Sequence, residues 1–225
     1  MSIEDSQPTG RPDVSGEPVT DQPAGEPAGA EVPEITDPKL FRALSHPVRI
    51  ALVEELTLHG PMTATEVGDR IGESPTTCSF HLRQLAKYGF VEEAGGGKGR
   101  ARPWRITAYG MHIPGVLEDP EAQVAFDLLH GMFRQRHLAR YQRWQDTKAS
   151  FPQDWRRAAT DSEYILYLTA DELDQISEEV HEILIRKFDR LADPSKRPPG
   201  SLPVELLLFS YPMELPGTEQ AGEQR

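Results

Sequence analysis

The sequence has a single cysteine, Cys78, among its 225 residues. One cysteine cannot form an intrachain disulfide. No run of apolar residues is long enough to cross a bilayer. The first ten residues have neither the basic nor the apolar region of a secretory signal. We expect from these absences a cytoplasmic protein.

The sequence also lacks the patterns that carry catalytic chemistry. Its glycine-rich stretch, residues 95–99, is followed by a predicted strand. A phosphate-binding loop would instead follow a strand and open a helix. No serine, cysteine or lysine stands in a recognisable nucleophile arrangement. We therefore expect no enzymatic activity and no cofactor.

Basic residues are scarce, and the net charge of −12 argues at first against a nucleic-acid partner. The distribution of the charge reverses that impression. Residues 1–36 hold eight acidic residues and one basic residue, and residues 108–225 hold twenty and thirteen. Residues 39–107 hold ten basic and seven acidic residues. Because the location of charge matters more than its total for binding a polyanion, this segment is the candidate for DNA binding.

Residues 74–88 have the pattern of an amphipathic helix. Ser74 is a good N-cap, and Gly89 follows where a helix end favours positive φ. The inward positions, spaced i, i+4 and i+7, are Cys78, Leu82 and Leu85. We expect Cys78 to be a core residue. The opposite face carries hydroxyl, amide and cationic groups with one aromatic ring: Thr76, Thr77, Ser79, Phe80, Arg83, Gln84 and Lys87. Such groups bind base edges and phosphates, although an ordinary helix with a solvated polar face is the alternative.

A second short helix is predicted directly before this one. Thr63 and Glu66 fit a capping box at its start, and residues 72–73 form a tight turn at its end. Two short helices joined by a turn that contains glycine are typical of a helix-turn-helix. Two earlier helices are predicted to begin after Asp37 and at Pro47.

A β-hairpin is predicted after the second helix of this motif. Residues 90–94 and 104–107 have the pattern of strands, and residues 95–103 form a loop of glycine and cations. The three cations of the loop, which can contact phosphates or enter the minor groove, are Lys98, Arg100 and Arg102. The alternative is a surface hairpin with solubilising charges.

Over residues 38–107 the sequence resembles the ArsR family of winged-helix transcriptional repressors. The stretches 44–49, 79–82 and 85–91 carry the resemblance. It implies a homodimer that places two recognition helices in successive major grooves of a near-palindromic site. In that role we expect one set of side chains to read or approach bases: Thr76, Thr77, Ser79, Phe80, Arg83 and Gln84. A second set would bind phosphates or the minor groove: Ser74, Lys87, Lys98, Arg100 and Arg102.

Many members of that family sense metals, but the matching positions here lack suitable ligands. Residues 66–69 contain no cysteine pair. Asp127, His130 and His137 follow on a later helix, yet Arg140 stands where a carboxylate is needed. Because an arginine beside a divalent cation is unfavourable, we expect no metal site.

The expected fold class is mostly α (α+β), with a winged helix-turn-helix domain, a long dimerisation helix and a small C-terminal β-α-β module. In that module residues 163–168 and 204–211 would be strands, and Thr169 with Glu172 would start the helix between them. Whether the strands pair within one chain or across a dimer is open. The predicted divisions are a disordered acidic tail (1–34), the DNA-binding domain (35–110), a linker and long helix (111–150), the C-terminal module (151–215) and a disordered end (216–225).

Three functions fit these patterns. The first is a dimeric, sequence-specific DNA-binding regulator, more specifically a repressor. The second is a protein-interaction module built on the winged helix, although such a module has no need of three clustered cations. The third adds to the first a small-molecule effector, bound between the long helix and the C-terminal module.

Overall fold

The computed structural model of the chain describes residues 34–95, 102–111, 113 and 116–213. Apart from Glu34, the two predicted disordered tails lie outside these residues. The α-helices are α1 (Pro38–Leu44), α2 (Pro47–His59), α3 (Ala64–Ile71), α4 (Pro75–Lys87), α5 (Pro120–Thr147), α6 (Gln153–Ala158), α7 (Ala170–Ile185) and α8 (Asp189–Ala192). Two 3₁₀ turns follow α5 and α8, at Lys148–Ser150 and Pro194–Lys196. The strands are β1 (Val91–Glu93) and β2 (Trp104–Ile106). The predictions of a mostly helical chain and of a winged helix-turn-helix are confirmed.

Polar side chains start the principal helices where the sequence places them. The Asp37 carboxylate accepts a hydrogen bond from the backbone N–H of Lys39 at 2.8 Å and starts α1. Thr63 and Glu66 form the complete capping box of α3, and Thr169 and Glu172 form that of α7. These bonds satisfy backbone N–H groups that a helix leaves without an internal partner.

The hairpin lies against the helix-turn-helix through one additional pair of backbone bonds. β1 and β2 are antiparallel, with Val91 opposite Ile106 and Glu93 opposite Trp104. The backbone N–H of Met62, just before α3, donates to the carbonyl of Trp104 at 3.0 Å, and the reciprocal bond is 2.8 Å long. The start of α3 is therefore hydrogen-bonded to the base of the wing.

One apolar core joins the first four helices, the hairpin and the start of α5. Among its fully buried side chains are Phe41, Leu44, Ile50, Leu52, Leu56, Val67, Cys78, Leu82, Leu85, Val91 and Leu129. α1 packs on α5, where the rings of Phe41 and Phe126 lie 5.7 Å apart. Burial raises the pKa of the Cys78 thiol, as for a packed core side chain that stays protonated.

An apolar stripe along α5, which includes Val124, Ala125, Leu128 and Leu129, is buried only in part. Ala125 and Leu129 are buried in the core, but Val124 and Leu128 are 69% and 59% exposed. One face of the N-terminal half of this 28-residue helix packs on the core of the winged helix, and Arg136 and Arg140 of its second half contact α2. The remaining apolar groups of the stripe therefore stay open to water in a single chain.

Two arginines of α5 tie the winged helix to the C-terminal part of the chain. Arg140 Nη1 donates to Glu54 Oε1 at 2.8 Å, and its Nε donates to Glu205 Oε1 at 3.0 Å. Arg136 Nε also donates to Glu54, at 3.2 Å. The other two arginines of α5, Arg134 and Arg143, are exposed.

The prediction that residues 163–211 form a β-α-β module within one chain is wrong. Its helix is present as α7, but residues 163–168 and 204–211 form no strand, and the described residues contain only the β1–β2 sheet. The apolar face of this helix is not buried either, since Ile183 is 60% exposed and no residue of α7 is buried. A strand needs a backbone partner, and the two segments do not provide one for each other here.

Candidate nucleic-acid interface

The turn between α3 and α4 sets the angle at which α4 projects from the domain. Gly72 ends α3 with φ of 76°, the left-handed conformation that glycine adopts without strain. A Cβ atom on Gly68 would lie 2.6 Å from the carbonyl oxygen of Glu73. Glycine at position 68 therefore lets the turn pass close to α3.

The N-terminus of α4 is held by the predicted cap. The Ser74 hydroxyl accepts a hydrogen bond from the backbone N–H of Thr77 at 3.1 Å, and the two side-chain oxygens lie 2.8 Å apart. Both hydroxyls are thus oriented by the cap and remain at the exposed end of the helix. The N-terminus of a helix also favours an anionic partner, because its free N–H groups point outward.

The two faces of α4 differ as the sequence predicts. Cys78, Leu82 and Leu85 are completely buried and fix the helix on the core. The opposite face is open to solvent: Thr76, Phe80, Arg83 and Lys87 are exposed, and Thr77, Ser79 and Gln84 are partly exposed. Phe80 is 52% exposed, so its ring is open to an apolar contact from another molecule. The face combines hydrogen-bonding, cationic and apolar groups on one side of a fixed helix.

The cations of this face carry no internal counter-charge. Within the described part of the chain, neither Arg83 nor Lys87 has a carboxylate within ion-pair distance. The ion pairs of the winged helix involve instead Arg42, Arg70, Arg102, Arg105 and His59. Lys87 Nζ lies 5.7 Å from the ring centre of Tyr88. Arg83 and Lys87 can therefore bind an external anion without first breaking an ion pair.

The wing presents one predicted cation together with an acidic partner that sequence reasoning did not assign. Arg102 is exposed, and its Nη1 donates to Glu93 Oε2 at 2.8 Å across the hairpin. Arg105 pairs in the same way with Glu92, at 2.7 Å. The other two predicted cations, Lys98 and Arg100, lie outside the described residues.

Two histidines that the sequence does not show to be neighbours lie together in the structure. The rings of His46, which caps α2, and His81, in α4, lie 4.4 Å apart. Burial and the neighbouring Arg49 lower the pKa of His46 below its usual value. The pKa of His81 is lowered by burial, by His46 and by Arg49. Both residues lie in stretches that carry the family resemblance, but sequence spacing alone does not bring them together.

The metal-ligand candidates are not assembled into a site. Among the described residues, no group of three or more His, Cys, Asp or Glu side chains could hold a metal ion. His137 Nδ1 lies 2.9 Å from Glu205 Oε1, beside the Arg140 guanidinium. The carboxylate near His137 is therefore already neutralised by an arginine.

A small groove lies between the start of α2 and α5. It has a volume of about 190 Å³ and is lined by Pro47, Met132, Gln135, Arg136 and Ala139. No residue of the C-terminal module lines this groove, whereas the predicted effector pocket would lie between α5 and that module. No helix among the described residues is both long and apolar enough to span a membrane.

Comparison with known proteins supports the interpretation of this region. Residues 44–94 match the family model of a helix-turn-helix domain. One similar solved structure is a possible transcriptional regulator for arsenical resistance, with 25% identity over 44% of this chain and 93% of that chain, at a TM-score of 0.28. Another is the transcriptional repressor BigR from Xylella fastidiosa, with 28% identity over 43% of this chain and 83% of that chain, at a TM-score of 0.26. None of the curated proteins compared with the chain matches it.

The family match covers α2, α3, α4 and β1, the elements that form the candidate interface. The chain therefore carries a winged helix-turn-helix domain of the kind found in transcriptional regulators. This part of the chain is a helix-turn-helix domain of the DNA-binding regulator type. Which of its side chains contact DNA is a separate question, and the residue assignments stay predictions.

Proposed function

We propose that the chain is a homodimeric transcriptional repressor that reads an inverted DNA repeat through α4 and the wing, residues 95–103. The observation that carries this proposal is the exposed face of α4, where Arg83 and Lys87 form no ion pair with any of the described residues. In a two-fold dimer, two such helices can enter major grooves one helical turn apart. Occupation of the site by the dimer would repress transcription, and such a role goes with a cytoplasmic location.

The side chains of the interface fall into two sets, one suited to base edges and one suited to phosphates. Arg83 and Gln84 suit base edges, since guanidinium groups bind guanine and amides bind adenine with two hydrogen bonds each. Phe80 offers an apolar contact to a thymine methyl group. The remaining base-approaching side chains are Thr76, Thr77 and Ser79. The phosphate-binding set is Ser74, Lys87, Lys98, Arg100 and Arg102.

A selection from random duplex DNA by the purified full-length protein, at two salt concentrations, tests the proposal. We expect an enriched inverted repeat whose half-site spacing matches one helical turn or a multiple of it. If binding depends on salt but no sequence is enriched, the protein does not read a DNA sequence and has an architectural role instead. Absence of binding at low salt would favour the protein-interaction module.

The same selection with variants tests the residue assignment. Arg83→Ala should relax the preference at one position of each half-site, with a loss of about 1–3 kcal/mol of discrimination. Arg143→Ala, an exposed arginine on α5, is the matched control and should leave the selected sequence unchanged. An unchanged preference with Arg83→Ala would remove this side chain from base readout.

A small-molecule effector has no assigned site in this proposal. Ligand pockets usually have volumes of roughly 300–1,000 Å³. The groove between α2 and α5 is smaller, at about 190 Å³. The effector hypothesis therefore stays a prediction, to be tested by ligands that change DNA affinity.

A further inference from the structure

The C-terminal arm, defined as residues 163–211, leaves two apolar segments open to water. Every residue of 163–168 and of 204–211 is exposed. Tyr167 is completely exposed, and Tyr164 is 80% exposed. The other large apolar side chains left open here are Ile165, Leu166, Leu168, Val204, Leu206, Leu207, Leu208, Phe209 and Tyr211. A contiguous set of this kind marks an interaction surface.

Both segments have the composition of buried strands. Apolar side chains follow one another without alternation, at 164–168 and at 206–209. Such runs are typical of strands covered on both faces. Neither segment contains proline or glycine, so every residue keeps a backbone N–H for pairing. The segments thus lack two things at once: backbone partners and apolar cover.

The residues outside the described ranges do not offer a third apolar segment of this kind. The parts outside the described residues are 1–33, 96–101, 112, 114–115 and 214–225. Their sequence contains no aromatic residue and only scattered aliphatic ones. A second copy of the chain, in contrast, would bring two matching segments.

The surface has the size that a dimer needs. The four aromatic side chains of the two segments, if covered, would remove on the order of 500 Å² from water. Together with the seven aliphatic side chains the area is on the order of 1,000 Å² per chain. A stable interface buries about 800 Å² on each partner.

The charges of the chain are complementary to a second copy of itself. Besides the paired Arg136 and Arg140, residues 134–157, from the second half of α5 to α6, contain five basic and two acidic residues. α7 contains six acidic and no basic residues, and none of them is buried. In a two-fold dimer each copy would offer both surfaces to the other.

We propose that the C-terminal arm closes the homodimer: segments 163–168 and 204–211 become strands by pairing with the same segments of a second copy, and the two α7 helices cover the resulting sheet. Glu205 places the second segment, because its carboxylate accepts hydrogen bonds from Arg140. Along an extended segment successive side chains point to opposite sides. Leu206 and Leu208 thus face away from α5, toward the position of the second copy. This inference rests on the dimer of the proposed function and names the surface that forms it.

Sedimentation of the full-length protein over a range of concentrations tests the proposal. The double variant Leu166→Asp, Leu208→Asp should raise the dimer dissociation constant at least about 100-fold, because it places charges in an apolar interface. Both side chains are more than 60% exposed in the single chain, so the winged helix should keep its stability. Val116→Asp, at an equally exposed position outside the arm, is the matched control and should leave dimerisation unchanged.

The variant Val124→Asp distinguishes the arm interface from a dimer interface formed by the exposed apolar stripe of α5. Dimers that persist in the arm variant but dissociate with Val124→Asp would overturn the arm interface and leave the dimeric repressor standing. A wild-type protein that stays monomeric while it saturates the selected repeat would overturn both. Loss of dimers in the arm variant, with unchanged affinity for an isolated half-site, would support the arm interface.

Hydrogen exchange of the wild-type protein supplies an independent readout. Unpaired, exposed backbone amides exchange quickly, whereas strand pairing protects them. We expect protection of 163–168 and 204–211 that increases with protein concentration and is lost in the arm variant. Fast exchange of these amides in a dimeric sample would overturn the proposal.

Discussion

The guanidinium of Arg140 lies 2.8 Å from the carboxylate of Glu54 and connects α5 to α2. Arg136 binds the same carboxylate, so one acidic side chain of the winged helix holds two cations of the long helix. Burial alone would raise the pKa of Glu54, but hydrogen bonds from Arg136 and Arg140 hold it below its usual value of 4.5. The charged carboxylate therefore links the second half of α5 to α2.

Glu54→Gln should lower the free energy of unfolding by about 2 kcal/mol at neutral pH, because it weakens charge-assisted hydrogen bonds at a half-buried site. The contribution of the Glu54 charge is complete above the unfolded pKa and is lost as pH falls through the lower folded pKa. The wild type should thus lose stability below pH 4.5, and the variant should lose less. Urea unfolding above and below this pH measures both effects.

Glu121→Gln is the control for a surface ion pair. Glu121 pairs with Arg42, and both side chains are at least half exposed. Its loss should cost less than about 1 kcal/mol. Equal effects of the two substitutions would contradict a special role of Glu54.

Gly68→Ala should destabilise the domain and displace α4. The new methyl group would lie 2.6 Å from the Glu73 carbonyl oxygen, so the turn has to shift. We expect a loss of about 1–3 kcal/mol, the usual cost of forcing extra volume into a tight contact. Thermal unfolding and DNA affinity, measured together, check the prediction.

Gly131→Ala provides the matched control on α5, where a Cβ would meet no atom within 4 Å. This substitution should stabilise the protein by up to about 1 kcal/mol through helix propensity. If Gly68→Ala stabilised the protein as Gly131→Ala does, the close approach would not constrain the turn.

The His46 and His81 pair predicts a loss of stability in mild acid. Their pKa values in the folded protein lie below the ordinary value of 6.5, chiefly because of burial. Arg49 opposes protonation of both rings, while Glu73 favours it. The unfolded chain therefore takes up these protons first, and stability falls as pH decreases from 6.5 toward the folded values.

His81→Gln, which does not titrate, should flatten that decrease while it keeps a polar side chain of similar size. Chemical unfolding at a series of pH values measures the slope. A variant at His181, an exposed position on α7, should retain the wild-type slope. Identical slopes in the His81 variant and the wild type would show that this pair does not control the acid response.

The sequence predicts the elements that are determined locally. Asp37, Thr63 and Ser74 each satisfy backbone groups within three residues, so neighbouring letters are sufficient to place the starts of α1, α3 and α4. The buried stripe Cys78, Leu82, Leu85 follows from helical spacing in the same way. The open face of α4 is the necessary complement of that stripe.

Features that depend on distant residues could not be predicted in this way. Glu54 and Arg140 are 86 positions apart, and the pairing of Arg102 with Glu93 depends on the hairpin register. The apolar runs 163–168 and 204–211 favour strands, but a strand also requires a partner, which the single chain does not supply. Local pattern alone does not name that partner.

The Arg102–Glu93 pair predicts how the wing responds to salt. Glu93→Gln removes the internal counter-charge of Arg102 and should leave it free for a phosphate. We expect tighter binding to all duplexes. The plot of log affinity against log salt concentration (the salt slope) should also become steeper by about 0.9, the value for one additional phosphate contact. Adding Arg102→Ala to this variant should reverse the change, and Arg100→Ala with Arg102→Ala should weaken binding to every sequence.

Glu92→Gln frees Arg105 in the same hairpin and is the matched control, which should change the slope less. If Arg102→Ala changed neither affinity nor slope in either background, Arg102 would not lie in the DNA interface.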